Sequence, residues 1–255
     1  MRIIRDYTYV TPEDRGASAA IGNFDGVHLG HRAVIDIARK AGDAVDAPCG
    51  VLTFDPHPRE YFAPDADPFR LMGPAAKATQ LAKIGVERLY QLNFNAALAA
   101  LTPEEFARRV IHEGLGLKHV VVGADFCFGK GRAGTAADLV DFGEQFGFGV
   151  TIAPLMERGA QTVSSTAIRQ ALTAAKPREA AEMLGTKPSR QFRDLTLPSV
   201  IFALLNAAFV VFIITITDFG NAAVIGGDYS VLATEIYTQV IGLRNFNMGA
   251  VVGIM

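Results

Sequence analysis

The stretch Ile21-Gly22-Asn23-Phe24-Asp25-Gly26-Val27-His28-Leu29-Gly30-His31 lies between a short apolar run, Ala17 to Gly22, and an amphipathic one, Leu29 to Ala41. It therefore reads as a strand, a tight turn and the start of a helix. Gly22, Gly26 and Gly30 remove side chains where a backbone must turn sharply or let a ligand approach closely. His28 and His31 are three residues apart, which puts both imidazoles on one face of the helix's first turn, beside N–H groups without intrahelical partners. A positive helix end, free donors and two imidazoles favour a polyphosphate. Two surface histidines at an ordinary helix start would leave the same pattern.

Outward from this segment the chain repeats the alternation. Gly50 to Phe54, Arg88 to Leu92, His119 to Gly123 and Gly149 to Pro154 read as further short, nearly continuous apolar strands. Pro74 to Ile84, Pro103 to Glu113 and Ala136 to Phe146 read as helices between them, and Thr102 before Pro103 and Glu105 forms a capped start. Strands apolar on both faces and alternating with helices predict an α/β fold with a parallel sheet. Ligands of such sheets sit beyond the carboxyl ends of the strands, so the informative loops are those after Gly22, Phe54, Gly123 and Pro154. The second is Thr53-Phe54-Asp55-Pro56-His57-Pro58-Arg59-Glu60-Tyr61-Phe62, whose aromatics are either a wall for a flat ring or core under a loop. The third, Gly123 to Gly134, sets Asp125, Phe126, Phe128, Lys130 and Arg132 among glycines, a pattern of an anion-binding loop or a solvated turn. The fourth leads to Val163-Ser164-Ser165-Thr166-Ala167-Ile168-Arg169, where hydroxyls cap a helix or, with the arginine, meet an anion. Ser165 to Ala174 and Pro177 to Leu184 then form a closing helical pair.

Composition bounds the partners. With 24 Lys+Arg against 26 Asp+Glu in 255 residues, the chain lacks the basic excess of a dedicated nucleic-acid binder. Cys49 and Cys127 are far apart, so neither a disulfide framework nor a metal knuckle is indicated. Met1 to Arg15 is polar and has no apolar run of a signal peptide, which predicts a cytoplasmic body. The charge is unevenly spread: about 23% of residues 1 to 190 are charged against about 9% of residues 191 to 255, where an ordinary domain has roughly 25%. Leu195 to Thr217 is a run of 23 residues without a charge, enough as a helix to cross a bilayer core of roughly 30 Å. Lys187, Arg190 and Arg193 precede it and would leave the body on the cytoplasmic side of the inner membrane. Asn206 and the Ile214-Thr215-Ile216-Thr217 run speak for the alternative, a buried element of a soluble domain.

Taken together, H-x-G-H at His28 to His31, F-D-P-H-P at Phe54 to Pro58, D-F-x-F-G at Asp125 to Gly129 and S-S-T-x-I-R at Ser164 to Arg169 resemble the FMN adenylyltransferase (FAD synthetase) module of prokaryotic bifunctional riboflavin kinase/FAD synthetases. The first motif is shared by a wider nucleotidyltransferase superfamily; the other three, in this order, are narrower. The resemblance covers about residues 15 to 186 and implies a Rossmann-like nucleotidyltransferase domain that transfers AMP from ATP to FMN, giving FAD and pyrophosphate, with Mg²⁺ carried by the ATP. It also implies roles: His28, His31, Asp125 and Arg169 at the reacting phosphates; Gly22, Asn23, Phe24, Gly30, Ser164, Ser165 and Thr166 along the ATP; Phe62 and Phe128 against the flavin. No carboxylate cluster suggests a metal cage supplied by the protein.

After Leu184 nothing resembles the kinase barrel of the bifunctional relatives, so riboflavin phosphorylation is not expected. The tail, about residues 196 to 255, resembles instead a truncated fragment of an ABC transporter permease subunit of the iron(III) or phosphonate type, carried by Leu197 to Val200, Thr217 to Asn221, Val224 to Gly227 and Ala233 to Tyr237. The predicted organisation is thus an adenylyltransferase domain over 1–186, a linker over 187–194, and a mostly helical, hydrophobic, permease-like segment over 195–255 with one transmembrane helix. The competing readings are a non-catalytic, membrane-tethered chimaeric fragment, or another H-x-G-H nucleotidyltransferase acting on pantetheine phosphate or nicotinate mononucleotide.

Overall fold

Six parallel strands form the central sheet of a computed structural model that describes residues 1–154, 156–158, 161–217 and 232–242. In chain order these are β1 (Arg2–Ile4), β2 (Ser18–Ile21), β3 (Cys49–Asp55), β4 (Arg88–Asn93), β5 (His119–Gly123) and, after one short pair, β8 (Gly149–Ala153). The intervening β6 (Cys127–Phe128) and β7 (Gly134–Thr135) pair with each other, as do β9 (Glu157–Arg158) and β10 (Gln161–Thr162). The sheet order is β1-β4-β3-β2-β5-β8. The chain runs from β2 through β3 to β4 on one side and then crosses to β5 and β8 on the other. The direction therefore reverses between β2 and β5, and a crevice opens at such a point.

The helices that cover the sheet are α1 (Leu29–Ala44), α2 (Pro58–Phe62), α3 (Pro74–Lys83), α4 (Ala96–Ala99), α5 (Pro103–Glu105), α6 (Ala136–Phe146), α7 (Ser165–Thr173) and α8 (Pro177–Met183). One core packs Leu52, Tyr90, Leu92, Val120 and Val122 against Phe106, Val110, Ile111 and Leu139. The other packs Ala20, Val51, Leu89 and Val121 against Ile35 and Ala38 of α1 and Leu81 of α3. Successive strand residues alternate between the two, as both faces of a covered parallel sheet require. A third cluster, Val163, Ile168, Ala171, Ala180 and Met183, joins α7 to α8.

The five expected strands and the helices of this body stand where the sequence puts them, with three differences. β1 escapes periodicity because it is three residues long and buries only Ile4; it is held by parallel pairing of Arg2–Ile4 with Arg88–Tyr90 and by an Arg2–Asp14 ion pair of 2.8 Å. The helix expected over Pro103 to Glu113 starts with the Thr102/Glu105 capping box but continues through Phe106–Gly114 with wider π-type turns. The segment 187–194, expected as a linker, is helical from Pro188: α9 (Pro188–Gln191) runs into wide turns at Phe192–Thr196, where Asp194 pairs with Arg190 at 3.1 Å and with Arg193 at 2.8 Å.

The described chain divides into two units, Met1–Lys187 and Pro188–Met255. In the second, α10 (Leu197–Thr217) occupies the uncharged run, and the span Pro188–Thr215 is long and apolar enough to cross a membrane. Phe202, Leu204, Leu205, Phe209, Val211, Phe212 and Ile214 of α10 are all exposed. Short helical turns follow at Leu232–Tyr237 and Thr238–Gly242. The permease-like runs at residues 218–221 and 224–227 lie outside the described residues, as does Gly249 to Met255.

Tyr90 is fully buried in the body and donates its hydroxyl to the Asp14 carbonyl at 2.6 Å, tying the N-terminal segment beneath the sheet. Tyr90→Phe is expected to lower the unfolding free energy by about 1–2 kcal/mol, measured by urea denaturation, with the fold retained.

Candidate functional site

The turn from β2 into α1 is compact and strained. Phe24 (φ 50°) and Val27 (φ 42°) both occupy the left-handed region although neither is glycine, and both are buried. Such conformations persist only where surroundings enforce them. Gly26, at φ 87°, would bring a Cβ to 2.9 Å from the Leu71 side chain. A Cβ on Gly30 would meet the Val163 carbonyl at 3.1 Å and the His28 ring at 3.2 Å. Glycine at these two positions thus lets the turn close against the 71–72 segment and against the approach to α7.

Asp25, only 4% exposed, ties these parts together. Its carboxylate accepts from the backbone N–H groups of Leu71 at 2.9 Å and Met72 at 3.2 Å, and from the Arg169 guanidinium at 2.9 Å. Its carbonyl accepts from the Ser165 hydroxyl at 2.8 Å. Arg169 also donates to Thr166 at 3.4 Å and lies 5.5 Å from the Phe69 ring centroid, while Arg59 lies 4.6 Å from the same ring. The first and fourth loops, separated by about 140 residues, are thereby joined through one aspartate. Asp25 stands inside the quoted stretch, but its role was not legible there because its partners are remote in sequence and two are backbone groups.

His28 caps α1, its Nδ1 accepting from the His31 N–H at 3.3 Å. With Nδ1 as acceptor, a neutral ring carries its proton on Nε2 and offers a donor there. The His28 and His31 rings stack with centroids 3.6 Å apart, and Phe24 lies 5.0 Å from His31. Burial pushes the His28 imidazole down to about 4; the Asp25 charge opposes this and the Arg169 charge adds to it. Burial holds His31 well below its usual value too, assisted by His28 and Lys77, and its Nδ1 is buried with no hydrogen-bond partner. Both rings are therefore neutral at pH 7. They can donate hydrogen bonds without carrying formal charge.

The other expected residues fall around the same strand ends. Ser164 is the N-cap of α7, accepting from the Ala167 N–H at 3.1 Å, and Thr166 is exposed on its first turn. Asp125 is exposed just past β5, the strand beside β2. Phe62 is 69% exposed and meets Tyr61 and Phe94 edge-on at 5.2 and 5.8 Å. Phe128 departs from expectation: it is 6% exposed, a core ring packed against Phe106 at 5.7 Å and stacked on Phe126 at 5.5 Å. Pairing of β6 with β7 turns it inward, and Phe126 is the more open ring of the pair. In the second loop His57 caps α2, and Arg70 bridges Asp55 and Glu60. Among the described residues no three His, Cys, Asp or Glu side chains come together as a metal cluster.

Residues 10–167 match the family model described as FAD synthetase. The bifunctional riboflavin kinase/FMN adenylyltransferase of Pseudomonas fluorescens is 40% identical over 185 residues, covering 72% of this chain and 59% of that protein. Its namesake in Escherichia coli K12 is 38% identical over 173 residues, covering 68% of this chain and 55% of the relative. The chain thus spans somewhat over half the length of these curated relatives. A solved structure described as a macrolide-efflux protein from Streptococcus pneumoniae superposes with a TM-score of 0.63 at 32% identity, over 72% of this chain and 61% of that one.

Burial also lowers His57 to about 4, so that with His28 at least two imidazoles bind protons more weakly when folded than when unfolded. The unfolded chain then takes up protons first, and the stability conferred by keeping these rings neutral is complete above about pH 6.5 and is lost as the pH falls towards about 4. A thermal-unfolding series should show a falling midpoint between pH 7 and pH 4.5, and His28→Gln should flatten part of that slope.

Proposed function

The chain belongs to the FAD synthetase family, and on that premise we propose that its N-terminal unit transfers AMP from ATP to FMN, producing FAD and pyrophosphate. The observation that carries this reading is the Asp25 junction, which sets the His28/His31 turn beside the Ser165/Arg169 helix start at the reversal point of the sheet. An oxygen of the FMN phosphate attacks the α-phosphorus of ATP; a new P–O bond forms as the bond to the β-phosphate bridge breaks, and pyrophosphate leaves with the electron pair. The nucleophile is already anionic, so no general base is needed. What the reaction requires is that two anions be brought together and the growing charge on the leaving group stabilised.

His28 and His31 supply neutral donors to the triphosphate, and Gly22, Asn23, Phe24 and Gly30 let it approach the backbone. Ser164, Ser165, Thr166 and Arg169 face it from the start of α7, and Asp125 stands near the reacting phosphates. Mg²⁺ enters as the ATP complex, held mainly by phosphate oxygens and water, in keeping with its reluctance to lose hydration. For the flavin ring, Phe62 keeps its proposed place, and Phe128 supports from behind a face presented by Phe126.

The tail favours a second element of the reading. Twenty-one residues of α10 rise about 32 Å, the thickness of a hydrocarbon core, with exposed apolar side chains along most of their length. We infer that α10 anchors the enzyme in the inner membrane, with Lys187, Arg190 and Arg193 at the cytoplasmic headgroups.

Full-length protein in detergent micelles, given MgATP and FMN, is expected to yield FAD and pyrophosphate by chromatography, and absence of FAD overturns the proposal. Pantetheine phosphate and nicotinate mononucleotide offered in competition should give no adduct. Arg169→Ala should lower turnover by about 10²-fold, the effect of losing one preorganised charge-stabilising donor. After reconstitution, the chain should float with phospholipid vesicles and resist extraction at alkaline pH; release into the soluble fraction would refute the anchor.

A further inference from the structure

A cation that the sequence did not single out lies beneath the phosphate-facing turn. Lys77, on α3, is 7% exposed. Its Nζ donates to the Asn23 carbonyl at 2.8 Å and to the Thr53 hydroxyl at 3.3 Å, while the Thr53 hydroxyl donates to the same carbonyl at 3.1 Å. Two donors from two elements thus converge on one backbone oxygen. Burying an ammonium group is costly, and burial lowers the proton affinity of this one; Asp25, Asp55 and Glu60 oppose the effect and Arg70 adds to it. A surface amine on α3 would serve packing equally well at less cost.

The geometry explains what the buried charge accomplishes. In a trans peptide the carbonyl and the following N–H point to opposite sides. With the Asn23 oxygen held by Lys77 and Thr53, the Phe24 N–H is directed to the other side of the peptide, and Asn23 itself is exposed. Phe24 holds a left-handed conformation that the chain would not adopt unaided, and its N–H makes no hydrogen bond to a described residue. The ammonium also polarises the peptide it touches, making that N–H a stronger donor.

We propose that Lys77 is a positioning residue for the nucleotide triphosphate: it fixes the Asn23–Phe24 peptide so that its N–H faces the phosphates, and it places a buried positive charge behind that peptide. This rests on the AMP-transfer reading for the identity of the nucleotide, and it predicts a selective effect on ATP over FMN.

The test is calorimetric titration of full-length protein in micelles with MgATP and, separately, with FMN, alongside steady-state kinetics. Lys77→Met should weaken ATP binding about tenfold or more, the effect expected for a lost hydrogen bond to a charged group, and leave FMN binding within about twofold. Lys77→Arg should recover most of the loss. Unchanged ATP affinity in Lys77→Met, equal loss of both ligands, or failure of arginine to rescue would overturn the assignment. If Lys77→Met does not fold, Thr53→Val, which removes one of the two donors to the carbonyl, decides: about threefold selective loss of ATP supports the proposal and none refutes it. Should the wild type bind ATP but make no FAD, the AMP-transfer reading fails while the ATP titrations still judge Lys77.

Discussion

The carboxylate of Asp25 is the constraint on which the rest of the site depends. Buried and charged, it must be matched by donors, and it finds them in the 71–72 backbone and in Arg169. Removing either side of such a pair leaves an uncompensated buried charge, which costs far more than the pair itself contributes to stability. The consequence is geometric. Sharing one aspartate brings the turn after β2, the segment ahead of α3 and the start of α7 together, and with them His28, Arg169 and the first turns of α1 and α7.

Beneath it the electrostatics are arranged in layers. Lys77 and the Arg70 pair with Asp55 and Glu60 lie under or beside the turn, and the neutral imidazoles stand above it. Keeping the imidazoles uncharged allows them to stack at 3.6 Å without repulsion. Positive charge comes instead from Arg70, Arg169 and Lys77, residue types whose ordinary values lie far above neutral pH, where that of histidine does not.

The fold was legible because its signals are local. Each core strand is a short apolar run, and helix starts are marked by Thr102, Thr135, Ser164 or a leading proline. The motif residues stand out too, through residue type and spacing. Asp25 and Lys77 were not: one carboxylate in a turn and one lysine in an amphipathic helix are unremarkable until the chain folds back over 144 residues, or 54, to meet them. Phe128 and Phe126 stack on each other against the core, and sequence alone does not say how deeply the short β6–β7 pair sets either ring. β1 leaves no sequence signal because three residues carry no period, and the helix at Pro188 leaves little because a polar run beside a proline reads as punctuation until its Arg–Asp pairs form.

The edge position of β1 bears on how the chain is made. β1 leaves the ribosome ahead of the other described strands, yet its one neighbour among the described residues of the sheet is β4, through Arg2–Ile4 against Arg88–Tyr90. Some 85 residues must be synthesised before that pairing can begin, and loops of such length close slowly. β2 and β3 are closer in the chain and can associate earlier, which leaves β1 to close this side of the sheet after them. Until then the N-terminal residues remain open to whatever factors inspect a nascent chain, and completion of the β1–β4 edge marks the moment at which this half of the sheet is committed.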